Sequence, residues 1–179
     1  MKKLLFIASL GLFSCGSNNH TTEATATDSA LEFANTITAA DLKTHLYIIA
    51  GDEYKGRDTG EPGQKMAAEY LKNYYVSQNI KAPLEDGDYF QEIPTEHLRP
   101  NLKPSENVLA FIKGSEKPDE IIVISAHYDH VGERDGEIYN GADDDGSGTV
   151  AIMEIAEAFQ KAVKIGKGPK RSLLFLHVT

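Results

Sequence analysis

Two apolar runs, Glu120 to Ala126 and Ser172 to Val178, stand on either side of a stretch, Thr149 to Val163, whose apolar residues recur at helical spacing. The runs are continuous rather than alternating, the pattern of strands buried on both faces. Between them Val150, Met153, Ala156 (or Ile155) and Phe159 mark one face of a helix, which Gly166-Lys167-Gly168-Pro169 brings to an end. Strand, helix and strand in that order predict an α/β fold: a three-layer sandwich with a mostly parallel central sheet. A right-handed crossover would join the strands containing Val123 and Leu174. Sites in such sheets lie at the carboxyl ends of strands, and His127 falls at one of those ends.

The residues before this unit supply its remaining elements. Thr38 and Asp41 form an N-capping pair ahead of a helix carrying Leu42, Leu46 and Ile49, with Gly51 as its stop. Gly56 to Gly63 is a turn-rich loop, and Pro62 occupies a first helical position before Ala67, Tyr70, Leu71 and Tyr74. Lys81 to Pro104 holds prolines at 83, 94, 100 and 104 and reads as loop, with Tyr89 to Ile93 as an edge strand. Asn107 to Ile112 is a further strand.

The N-terminus reads as targeting sequence. Met1-Lys2-Lys3 precedes the ten-residue apolar run Leu4 to Phe13; a membrane span needs ~20 apolar residues, so the run fits a signal h-region. Cys15, the only cysteine, follows Leu12-Phe13-Ser14 and resembles the lipid-bearing cysteine of a bacterial lipoprotein. The expected organisation is a signal peptide over 1–14, a flexible tether over 15–30 and the folded domain over 31–179. The protein would be exported and held at the cell envelope through lipid on Cys15, without spanning the membrane. An ordinary signal peptide is the alternative. With 27 acidic against 18 basic residues and no basic stripe, nucleic acid is excluded as a partner, because phosphate binding needs clustered positive charge. Oligomeric state leaves no recognisable pattern.

Two elements carry chemistry. His127 and Asp129 are two apart at a strand end, so their side chains can point the same way. A metal-bound imidazole commonly donates its second N–H to a carboxylate, although a surface histidine beside an acid reads the same. The turn Gly141-Ala142-Asp143-Asp144-Asp145-Gly146-Ser147-Gly148 places three carboxylates side by side, a repulsive arrangement unless a cation or a helix N-terminus compensates. Capping of the following helix is one explanation. A calcium loop fails on spacing: with Gly146 at position six, positions one and twelve are Gly141 and Ile152.

Together Ser125 to Gly132 and Gly141 to Gly148 resemble the signatures of the co-catalytic zinc aminopeptidases, metallopeptidase family twenty-eight, relatives of glutamate carboxypeptidase and of the transferrin receptor ectodomain. The resemblance extends over most of the chain after about Leu42. It implies a zinc-exopeptidase-like fold and removal of N-terminal residues from peptide substrates. It also implies two zinc ions, with His127 binding one, Asp144 bridging both, and Asp129 orienting His127 in the catalytic machinery. The Asp144–Asp145 peptide would be cis. The general-base glutamate and three further ligands of the family follow the strand matching Leu173 to Val178, and the sequence ends at Thr179. The expectation is therefore an incomplete N-terminal portion, truncated on its C-terminal side, that holds no pair of zinc ions and hydrolyses no peptides. The Ser172–Val178 strand would be left as an unpaired apolar edge. The alternative is a membrane-anchored lipoprotein that keeps the peptidase fold for binding or scaffolding.

Overall fold

The computed structural model describes residues 29–179. The signal segment 1–14 and Cys15 lie outside the described residues, and the tether overlaps them only at Ser29 and Ala30, which already belong to a helical segment over 29–34. Among the described residues no helix is long and apolar enough to cross a membrane.

Three helices form where capping and periodicity place them. In α1 (Ala39–Ile49) the Thr38 side chain accepts from the Asp41 N–H at 3.2 Å, satisfying a donor the first turn leaves free. Helix α2 (Pro62–Gln78) starts with proline in its first turn and stops at Asn79, a left-handed cap with φ 60°. Helix α3 (Ser147–Lys164) buries Val150, Ile152, Met153 and Ala156, while Phe159 is half-buried at the margin.

The strands are β1 (Phe90–Ile93), β2 (Ser105–Ile112), β3 (Lys117–His127), β4 (Gly132–Arg134), β5 (Glu137–Tyr139) and β6 (Arg171–Val178). The main sheet has the order β1-β2-β6-β3. As the crossover pattern predicts, β3 and β6 pair in parallel through α3, with Val123 directly opposite Leu174. The other two ladders, β1 with β2 and β2 with β6, are antiparallel. The α/β class stands, but the sheet here is mostly antiparallel rather than mostly parallel. Its β2 strand enters without a helical crossover and runs against β6. Nor is β6 an apolar edge: it lies between β2 and β3, and the edges fall to β1 and β3.

Side-chain alternation decides which face is covered. Val108, Ala110 and Ile112 of β2 oppose His177, Phe175 and Leu173 of β6, and all six are buried. They pack with Ala67, Leu71 and Tyr75 of α2 and with Val150, Ile152, Met153 and Ala156 of α3 in two adjoining clusters. Burying a side chain the size of Phe175 or Leu71 contributes about 1.5–3 kcal/mol. On the other face Ile121 and Val123 are about half exposed, at 55% and 52%. The described helices thus lie on one side and fix the strand ends from there.

One element escaped the sequence reading. Strands β4 and β5 form a hairpin whose turn residues, Asp135 and Gly136, have φ values of 53° and 83°. Asp-Gly is a strong two-residue hairpin signal, because both central positions need positive φ.

Candidate metal centre

The strand end is built around Tyr128. Its N–H donates to the Val178 carbonyl at 3.0 Å, its carbonyl accepts from Arg57 Nε at 2.6 Å, and its hydroxyl donates to the Glu106 carbonyl at 2.5 Å while also meeting Gln64 Nε2. Burial, with the Glu106 charge added, pushes its phenol well above the ordinary range, so the hydroxyl keeps its hydrogen. Because alternate residues project oppositely, fixing Tyr128 inward turns His127 and Asp129 toward the cleft.

The acidic turn is fixed from the other side. Gly141 takes φ 54° at its start, where a Cβ would fall 2.4 Å from the His130 ring. Its carbonyl accepts from Gly146 N–H at 3.1 Å. Asp145 accepts from Gly148 N–H at 3.1 Å and from His127 N–H at 3.3 Å, so this carboxylate caps α3 and ties it to β3. Buried Thr149 donates from the same helix turn to the His127 carbonyl at 3.0 Å. The Asp144–Asp145 peptide is cis, as the resemblance implies. Capping therefore explains Asp145 but leaves Asp144 free to project, its side chain 73% exposed.

These two arms bring His127 Nε2 within 2.9 Å of Asp144 Oδ1. On the far side of the ring, His127 Nδ1 lies 3.0 Å from the Asp129 carbonyl oxygen and 3.4 Å from the carboxylate oxygen Oδ1. A carbonyl only accepts, so Nδ1 carries the hydrogen, and Nε2 of the neutral ring then faces Asp144 with a lone pair. Two acceptors that close repel unless a cation sits between them. A proton can serve: burial opposes it, but the Asp129 carbonyl, the Asp144 carboxylate and the charges of both acids outweigh burial and raise the His127 pKa. A metal ion is the other cation that fits this nitrogen-and-carboxylate pair. His130 stands nearby, its Nδ1 3.8 Å from Asp144 Oδ2. Among the described residues no group of three or more His, Cys, Asp or Glu side chains is disposed to hold a metal.

Asp129 Oδ2 accepts from the Thr59 hydroxyl at 2.5 Å, which anchors the carboxylate behind the histidine. Thr59 and Arg57 were not singled out from the sequence; the run of turn residues around them was the available signal. The cleft that Thr59, His127 and Asp129 border measures about 590 Å³ and is also lined by Arg99, His130 and Val178.

Residues 107–179, which hold both arms of the centre, match the family described as Peptidase family M28. The chain is 36% identical over 77 residues to a probable glutamate carboxypeptidase of Arthroderma benhamiae, covering 43% of this chain and 10% of that protein. It is 31% identical over 105 residues to leucine aminopeptidase 1 of Trichoderma harzianum, covering 58% and 26%. In three dimensions it is similar to the LapA aminopeptidase of Legionella pneumophila, with a TM-score of 0.56 at 18% identity over 98% of this chain and 42% of that one. The chain therefore spans less than half the length of each of these relatives.

Proposed function

We propose that this chain carries the first two donors of a zinc peptidase centre, His127 and Asp144, with Asp129 as the group that orients His127. The protein would act on peptides, removing N-terminal residues. The observation that carries the reading is the 2.9 Å approach of His127 Nε2 to Asp144 Oδ1, a nitrogen-and-carboxylate pair open to a cation, with Nδ1 already committed to Asp129.

Zinc bound there would lower the pKa of a coordinated water and polarise a peptide carbonyl. The chain's own residues do the preparatory work. Asp129 fixes the tautomer and ring plane of His127, and Thr59 holds the Asp129 carboxylate in place. Asp144 is exposed enough for its second oxygen to reach another ion. Two donors fall short of the three a catalytic zinc normally keeps, so the 179-residue chain by itself is proposed to bind zinc weakly and to release no amino acids.

Calorimetric titration of the chain with zinc tests this. One site of modest affinity is expected, abolished in His127→Ala and in Asp144→Asn. Binding that survives both substitutions would sink the assignment. Lipidation of Cys15 remains part of the proposal, and labelled palmitate that still incorporates after Cys15→Ser would refute it.

A further inference from the structure

Arg57 is completely buried, and among the described residues no carboxylate lies within ion-pair distance of its guanidinium. Its hydrogen-bond donors go to main-chain carbonyls instead. Nε donates to Tyr128 O at 2.6 Å, Nη1 to Ile49 O at 2.6 Å and to Asn140 O at 2.8 Å, and Nη2 to Gly141 O at 2.9 Å. The Arg57 carbonyl in turn accepts from His130 N–H at 3.0 Å. Lys55, Gly56 and Arg57 all take positive φ, at 50°, 65° and 51°, and this unusual turn aims the side chain inward. Gly56 makes the turn possible, since a Cβ there would lie 2.4 Å from Tyr139 O.

Burying a charge without a contacting counter-charge is expensive, and here the cost is offset by hydrogen bonds from the guanidinium to four main-chain carbonyls. The carbonyls chosen are informative. Tyr128 O lies on the peptide that joins Tyr128 to Asp129, one residue past His127. Asn140 O and Gly141 O open the turn that ends in Asp144, and Gly141 O is the same oxygen that accepts from Gly146. One rigid fork therefore spans both arms of the centre and sets how far His127 stands from Asp144.

We infer that Arg57 is a positioning residue for the metal centre: its guanidinium clamps the β3 strand end to the acidic turn, fixing the separation of His127 and Asp144 for one ion. The inference rests on the zinc reading of that pair. Lysine cannot substitute, because a single ammonium cannot reach carbonyls of three separate segments in a plane.

The test uses the 179-residue chain, zinc and three variants. Arg57→Lys is expected to weaken zinc binding about 10–100-fold, the usual effect of removing a group that supports metal ligands, while far-UV circular dichroism stays unchanged. Phe175→Leu, in the sheet core on β6, is expected to lower stability without moving zinc affinity, which separates positioning from general loosening. His127→Ala reports on the reading beneath: if the unaltered chain binds zinc no better than this variant, the zinc assignment fails and the clamp goes with it. If zinc binding depends on His127 but Arg57→Lys binds as tightly as the unaltered chain, the clamp alone is overturned.

Should Arg57→Lys not fold, the unaltered chain still decides the matter. Coupling is reciprocal, so zinc must stabilise the clamped guanidinium as much as the clamp favours zinc. Exchange of the Arg57 Nε hydrogen, followed by NMR, is expected to slow at least tenfold on saturation with zinc. An exchange rate indifferent to zinc refutes the inference.

Discussion

His177 should make the folded chain sensitive to acid in a way that can be isolated. The ring is fully buried on β6, with Nε2 2.6 Å from the Tyr75 hydroxyl and Nδ1 without a hydrogen-bond partner among the described residues. Burial lowers its pKa from 6.5 to about 3. Between those values the unfolded chain takes up a proton that the folded chain refuses. The stabilising difference is therefore complete above pH 6.5 and is lost progressively as pH falls toward 3. At about 1.36 kcal/mol per pKa unit, acidification from pH ~7.5 to ~5 removes about 2 kcal/mol through this one ring. Carboxylates add their own acid dependence, so the measurement is a comparison. Urea unfolding followed by circular dichroism would be run across that range for the unaltered chain and for His177→Phe. The variant loses the partner of Tyr75, which costs about 1–3 kcal/mol at every pH because the buried phenol does not ionise in this window. What should differ is the slope: the unaltered chain is expected to lose about 2 kcal/mol more than the variant on acidification. Parallel curves would show that the ring is either wetted or already charged in the fold, and the argument would be wrong.

Other substitutions test the packing. Thr38→Ala removes the cap of α1 and is expected to cost about 1 kcal/mol in urea unfolding; no change would mean the Asp41 N–H finds water equally well. Gly63→Ala adds a good helix former, worth about 1 kcal/mol, yet its Cβ would fall 1.8 Å from Tyr54 O. The clash should win by about 1–3 kcal/mol, and a stabilised variant would contradict the close approach of that turn to α2. Phe175→Ala is expected to lower stability by about 3–5 kcal/mol, since the ring is fully enclosed between the sheet and both long helices. A loss below about 1 kcal/mol would mean that the site collapses around the missing ring.

The parts legible in the sequence were those encoded by neighbours along the chain. Thr38 and Asp41 announced α1, Pro62 opened α2, and the spacing of Val150, Met153 and Ala156 drew the buried face of α3. His127 at a strand end and Asp144 in an acidic turn could be named because each sits in a distinctive local motif. Pairing between distant strands has no such local signature. The apolar runs of β3 and β6 looked alike whether flanked by parallel or antiparallel partners, and only the fold shows β2 running against β6. Arg57 was invisible for a related reason. An arginine in a turn-rich loop ordinarily reads as surface charge, and its carbonyl acceptors come from residues as far apart in sequence as Ile49 and Gly141.

The position of β6 has a consequence for how the chain reaches this fold. Strands β2 and β3 are separated by only Lys113 to Glu116, a connection short enough for a tight hairpin, and they run in opposite directions. Hairpins close within microseconds, whereas β6 arrives after some forty further residues, including all of α3. In the native sheet β6 nevertheless lies between them. The strands most ready to zip together first are the pair that must stand apart, so folding requires either a delay in their association or its reversal to admit β6. The centre depends on that insertion, because the Val178 carbonyl that anchors Tyr128 belongs to β6.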